Sequence, residues 1–178
     1  MSRRVSVIRS FVALGLAVSG LVAGGVADGA AASGTRADPV PDCTLFDLGT
    51  HKGRLEGAAG SRFLTVRVTN LSDHACATPG WTRYRFHNRD GAVGFWSKRN
   101  PGYDPGAAPV VIESGGVVKS VLSWTSPEVV SRHACHPRRA VTVRMRLAGL
   151  DRPFTFHHLD TRVCTTKKYR PEGTRLAS

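Results

Sequence analysis

Acidic residues are scarce in this chain. Thirteen Asp and Glu stand against 25 Lys and Arg, which leaves a formal charge of +12. Chemistry built on paired carboxylates therefore has little to draw on. The only acid–base combinations that can be assembled are Glu113 or Glu128 with His87 or His157, the pattern a small secreted ribonuclease would use. Nucleophile signatures are missing as well. There is no G-x-S-x-G elbow, no H-E-x-x-H, and no S-x-x-K with its companion motifs, so the usual routes to an acyl-enzyme or a zinc hydrolase are closed. The four cysteines include no C-x-x-C pair, which excludes a thioredoxin-type redox centre. No segment carries three turns of helical periodicity, no internal repeat appears, and no apolar run after the first 32 residues is long enough to span a bilayer as a helix. Aromatics are few, at 7%, and are not interleaved with basic residues as a nucleic-acid stacking platform requires.

The chain opens with a secretory leader. Arg3, Arg4 and Arg9 form a positive start, Phe11 to Val26 is apolar, and Ala30-Ala31-Ala32 offers a small-residue exit, so cleavage is expected before Ser33. Losing three Arg and Asp28 with the leader lowers the formal charge from +12 to +10. Residues 33–42 are short, polar and Pro-containing and read as a flexible tether. Residues 43–170 make one domain, and 171–178 lack periodicity and read as a disordered tail. An extracellular or cell-wall-associated protein with disulfides is the expectation.

Alternation dominates the domain. Leu64, Val66 and Val68 share one face of a strand; Tyr84 and Phe86 share another; Val118, Ser120, Leu122 and Trp124 form a third set; Val141, Val143, Met145 and Leu147 form a fourth, opposite Thr142, Arg144 and Arg146. Residues 153–158 are a further strand candidate. Pro79-Gly80, Asp90-Gly91, Pro101-Gly102 and Ser114-Gly115-Gly116 separate these runs as turns. Short antiparallel strands with one buried face each predict an all-β fold, an antiparallel β-sandwich. Cys43, Cys76, Cys135 and Cys164 allow three pairings, among which the sequence does not choose. Cys76–Cys135 with Cys43–Cys164 is favoured because the second bridge would tie the first strand to the last.

The segment Val68-Thr69-Asn70-Leu71-Ser72-Asp73-His74-Ala75-Cys76-Ala77-Thr78-Pro79-Gly80-Trp81 resembles the N-x-[ST/G]-x-x-x-C-x-x-x-G-aromatic block of an actinobacterial family of secreted proteins and lipoproteins. The function of that domain is unassigned. Asp90-Gly91, the segment Val110 to Gly116 before a strand ending at Trp124, and the positions of Cys135 and Cys164 are similar to the same family. Ser114 and Thr82 stand where Pro is common in it. The resemblance spans roughly Cys43 to Cys164. It implies an immunoglobulin-like sandwich at the cell surface with two disulfides, and it brings no catalytic residue or cofactor.

The remaining signal is cationic. Arg83 and Arg85 alternate on one strand, Arg144 and Arg146 on another, and Arg67 on a third. If these strands are neighbours, five guanidiniums line one sheet face, extended by Arg138-Arg139, Lys167-Lys168 and Arg170. Such a face attracts a polyanion with salt-sensitive affinity. The plainer reading, ordinary solvated strand surface in an arginine-rich chain, stands beside it. A metal site at His133, Cys135 and His136 requires a free thiolate, which a disulfide removes, and His157 and His158 point to opposite faces of a strand. No metal and no cofactor is expected, and nucleic acid is not the expected partner. The chain is therefore read as a secreted, non-catalytic envelope module that binds an anionic polymer through Arg67, Arg83, Arg85, Arg144 and Arg146. The alternatives are a protein-interaction domain using Phe95-Trp96 and a small hydrolase.

Overall fold

The structure, a computed structural model, describes residues 38–99, 102 and 104–178. The leader and the first part of the tether lie outside the described residues. Among those described, the strands are β1 (Leu48–Ala58), β2 (Ser61–Asn70), β3 (Cys76–Thr78), β4 (Thr82–Asn88), β5 (Gly91–Val93), β6 (Lys98–Arg99), β7 (Val110–Ile112), β8 (Val117–Thr125), β9 (Pro137–Ala140), β10 (Thr142–Leu147), β11 (Phe154–Phe156), β12 (Thr161–Cys164) and β13 (Glu172–Gly173). One four-residue helix, α1 (Arg132–Cys135), precedes β9. No helix among the described residues is long and apolar enough to cross a membrane.

The strands form a five-stranded sheet in the order β1-β2-β8-β13-β6 and a four-stranded sheet in the order β11-β10-β4-β5. Pairing is antiparallel throughout except between β13 and β6. Two small sheets, β12-β9 and β3-β7, lie beside them. The inward faces follow from alternation. Leu64, Val66, Val68, Val118, Leu122 and Trp124 come from the first sheet and Tyr84, Phe86, Val143, Met145, Leu147 and Phe156 from the second, all buried in one core. Trp124 and Phe86 meet edge-on across it, with ring centroids 5.0 Å apart. Tyr84 is wholly buried, and its hydroxyl donates to Ser120 Oγ at 2.9 Å. Burial pushes the Tyr84 phenol up to about 12, so it stays a neutral donor.

Three expectations are corrected. The disulfides are Cys43–Cys76 and Cys135–Cys164, not Cys76–Cys135 and Cys43–Cys164. The reason is local backbone pairing. Cys43 N donates to Ala77 O and Ala77 N to Pro41 O, each at 2.8 Å, which sets Cys43 beside Cys76 at the start of β3. Thr165 N donates to Cys135 O at 2.9 Å, which sets α1 beside the end of β12. The same bonds draw Pro41 and Asp42, the end of the expected tether, into the fold. Finally, residues 171–178 are packed rather than disordered. β13 inserts between β8 and β6, Ala177 exchanges two backbone bonds with Lys119, and Leu176 is buried. Gly173 lies so close to the Tyr84 ring that a Cβ there would fall 2.8 Å from Cδ2, so a larger residue displaces the strand. Periodicity did not reveal this segment because its partners are supplied by β8, Tyr84 and Thr82, all distant in sequence.

Asn70 gives the cysteine block its physical sense. It is fully buried, and its side-chain amide donates to His74 O at 2.7 Å and Ile112 O at 2.9 Å. Its carbonyl oxygen accepts from Ser72 N and Ser72 Oγ at 3.0 and 2.7 Å. One side chain thus closes the loop that delivers Cys76 to Cys43.

A candidate anion-binding face

Strands β4 and β10 alternate buried apolar residues with outward basic ones. Their register sets Arg83 directly opposite Arg146, Arg85 opposite Arg144 and His87 opposite Thr142. Like charges in direct cross-strand register repel one another. No carboxylate among the described residues pairs with any of these four guanidiniums; the ion pairs found there lie elsewhere, at Arg62–Glu128, His74–Asp73, Lys98–Glu172 and Arg139–Asp160. Arg144 and Arg146 are exposed, whereas Arg83 and Arg85 are half-buried. Arg83 Nε, Arg85 Nε and His87 Nε2 are enclosed without a hydrogen-bond partner among the described residues. Arg85 makes one bond, from Nη2 to Gly94 O at 3.3 Å.

Trp96 sits at the centre of this charge. The guanidinium carbons of Arg83, Arg85 and Arg146 lie 5.7, 5.9 and 5.2 Å from its ring centroid, within cation–π range. Its position follows from a clamp on the segment that joins β5 to β6. Ser97 N donates to Tyr84 O at 2.7 Å, and Tyr84 N donates back to Ser97 Oγ at 2.9 Å. Arg170 Nε then donates to Trp96 O at 3.0 Å. Burial first, then the charges of Arg99, Arg170 and Arg146, lower the Arg83 pKa below its ordinary value. Burial, then Arg144 and Arg85, likewise lowers that of His87.

The expected five-arginine face is corrected at one position. Arg67 lies on β2 in the other sheet, exposed and alternating with buried Val66 and Val68, so it faces away from the quartet. Alternation assigns a residue to a face of its own strand and is silent about which sheet the strand joins. Of the expected extensions, Arg170 reaches the Trp96 segment, while Arg139 is held by Asp160 at 2.8 Å. Arg99 and Trp96 were not in the expected set. The sequence singles out Phe95-Trp96 only as a protein-contact patch, and alternation does not connect that segment to β4.

The matching family model is that of a domain of unknown function, DUF4232, over residues 43–171. The chain belongs to the DUF4232 family. It matches none of the curated proteins. In this DUF4232 domain the two glutamates of the alternative catalytic reading lie apart. Glu113 lies by the turn that pairs with Asn70, at one end of β2, and Glu128 lies by Arg62 and Ser126 near the other. A ten-residue strand separates them, roughly 30 Å at about 3.3 Å per residue. The two glutamates therefore do not form a carboxylate pair. Cys135 is committed to its disulfide, which leaves His133 and His136 without a thiolate, and no metal-ligating group of three occurs among the described residues.

Proposed function

We propose that this DUF4232 domain is a secreted, non-catalytic binding module that docks on an anionic polymer of the cell envelope through Arg83, Arg85, Arg144 and Arg146. One observation carries the reading. Two cross-strand arginine pairs stand in register, three of the four guanidiniums against Trp96, with no carboxylate partner among the described residues. An uncompensated cation cluster is a standing cost, and an external polyanion is what relieves it. The leader and the two disulfides support an oxidising compartment outside the cytoplasm. We read the two-sheet build as immunoglobulin-like, with the difference that its disulfides join neighbouring segments of the small sheets instead of the two main sheets.

The test is co-sedimentation of the chain from Ser33 to Ser178 with isolated cell walls across a salt series. Binding that weakens with salt is expected. An R83Q/R85Q/R144Q/R146Q variant is expected to flatten the log–log salt slope by roughly 3, at about 0.7–0.9 per ionic contact. Equal retention of wild type and variant, or no retention at low salt, would overturn the reading.

A further inference from the structure

The opposite outer face carries a second cationic feature, built by a defect in strand pairing. On β1, Lys52 pairs with Val66 and Leu55 with Leu64, so Gly53 and Arg54 together oppose the single residue Thr65. This is a β-bulge, which bends the strand and re-aims its side chains. Gly53 permits it: a Cβ there would come within 3.2 Å of Thr65 O. A groove of about 910 Å³ opens along the bulge at the sheet edge, lined on the outer face by His51, Arg67 and Lys119, at the bulge by Arg54, on the inner-face side by Lys52, which pairs with buried Val66, and by His158 from the segment after β11.

Register gives the groove its charge. Arg67 on β2 lies directly opposite His51 on β1 and opposite Lys119 on β8, so three basic positions form a row across three strands. The row faces outward, because its β2 and β8 members alternate with buried Val66, Val68 and Val118. Glu56 and Asp160 also line the groove, but Asp160 is already held by Arg139 at 2.8 Å. Among the described residues Lys52, Arg54, Arg67 and Lys119 have no carboxylate partner. Along a strand, outward positions repeat every two residues, about 7 Å, and strands lie about 5 Å apart. That spacing suits a linear polymer bearing one phosphate or carboxylate per repeat, and long flexible cations can follow it.

The arginine quartet belongs to the other sheet of the sandwich, and its side chains face the other way. We propose that the bulge groove is a second oxyanion-polymer site, so that one domain bridges two anionic chains. The inference rests on the reading above in that the quartet supplies the first site, while the groove's own residues are distinct from it.

Bridging has a signature that single-site binding lacks. Light scattering of a long polymer should rise as domain is added, peak at an intermediate ratio and fall when excess domain caps every chain. Long-chain polyphosphate and polygalacturonate serve as probes and separate phosphate from carboxylate recognition; titration calorimetry counts the sites. Wild type should show two sites per domain and a scattering peak with at least one probe. An R54Q/R67Q/K119Q variant should keep one site and lose the peak, and the quartet variant should do the same. If the triple variant fails to fold, R67Q/K119Q, at two exposed strand positions, replaces it. A quartet variant that binds nothing would overturn the second site and leave the first. A groove variant that binds nothing, with an unaffected quartet variant, would overturn bridging and the quartet reading together. A groove variant that still scatters like wild type would also overturn the proposal, since a self-associated domain with one site then suffices. Stronger bridging of duplex DNA than of either probe would overturn the assignment of an envelope polymer.

Discussion

Replacing Arg83 by Met should make the domain more stable and a weaker polyanion binder. Met keeps the apolar stem of the side chain and removes the guanidinium. Three energies compete. Arg83 faces Arg146 directly, and like charges opposite one another cost about 0.2–1 kcal/mol. Its Nε is enclosed without a partner among the described residues, and an unsatisfied buried polar group costs about 1–3 kcal/mol. Against these, its contact with Trp96 contributes about 0.5–1 kcal/mol. The midpoints favour Met by about 2 kcal/mol, or roughly 5 °C in Tm for a domain of this size. The assay is thermal unfolding in low and high salt. Between 0.01 and 1 M salt the screening length falls from about 30 to about 3 Å, so wild type should gain more Tm than the variant over that range. Polyphosphate should raise the Tm of wild type and raise that of Arg83→Met less. An Arg83→Met protein that melts below wild type, with an equal salt response in the two, would show that the quartet is already compensated from within. The physical basis for an anion site there would then be gone.

Asn70→Ala leaves His74 O, Ile112 O and Ser72 N without their partner and should cost about 3 kcal/mol in urea unfolding, even though it removes few apolar contacts. Ending the chain at Arg170 removes β13, the bonds of Ala177 to Lys119 and the buried Leu176, so the truncated protein should lose protease resistance across β8; a protection pattern unchanged from the full chain would refute the packed tail. His87 has a folded pKa depressed below 6.5, so its contribution to stability is present above pH 6.5 and is lost as pH falls through the folded value. Wild type should therefore lose more Tm than His87→Gln between pH 7.5 and 5, and parallel pH profiles would count against the burial argument.

Strands β2, β4, β8 and β10 were legible in the sequence because each is long enough to show period two and each has one face in the core. β1 was not. Its bulge at Gly53-Arg54 shifts the phase of alternation midway, and its position at the sheet edge leaves most of its residues half-exposed. β13 has two residues, and its location is set by Tyr84, Thr82 and Ser120, which no local pattern can announce. The disulfides escaped for a related reason: pairing them needs the relative placement of segments, which is fixed by backbone bonds such as Cys43 N to Ala77 O. The arginine rows were readable, but their assembly was not. Four of the five share a face because β4 and β10 are neighbours, and Arg67 is excluded because β2 belongs to the other sheet.

The organisation of Trp96 bears on how the quartet works. Long cationic side chains that must be ordered on binding lose rotamer freedom, about 0.5–1.5 kcal/mol for each one immobilised. Here that ordering is partly done beforehand. The two hydrogen bonds between Ser97 and Tyr84 fix the backbone beside the indole, Arg170 donates to the Trp96 carbonyl, and the indole in turn contacts Arg83, Arg85 and Arg146. The groove at the β1 bulge has no such organiser: its lysines and arginines border open space and lack aromatic partners among the described residues. The two faces should therefore differ in quality as well as position. On the proposed reading the quartet should bind with the smaller ordering cost and the slower release, and the groove should capture a second chain weakly, adding avidity only when the polymer is dense enough to present both.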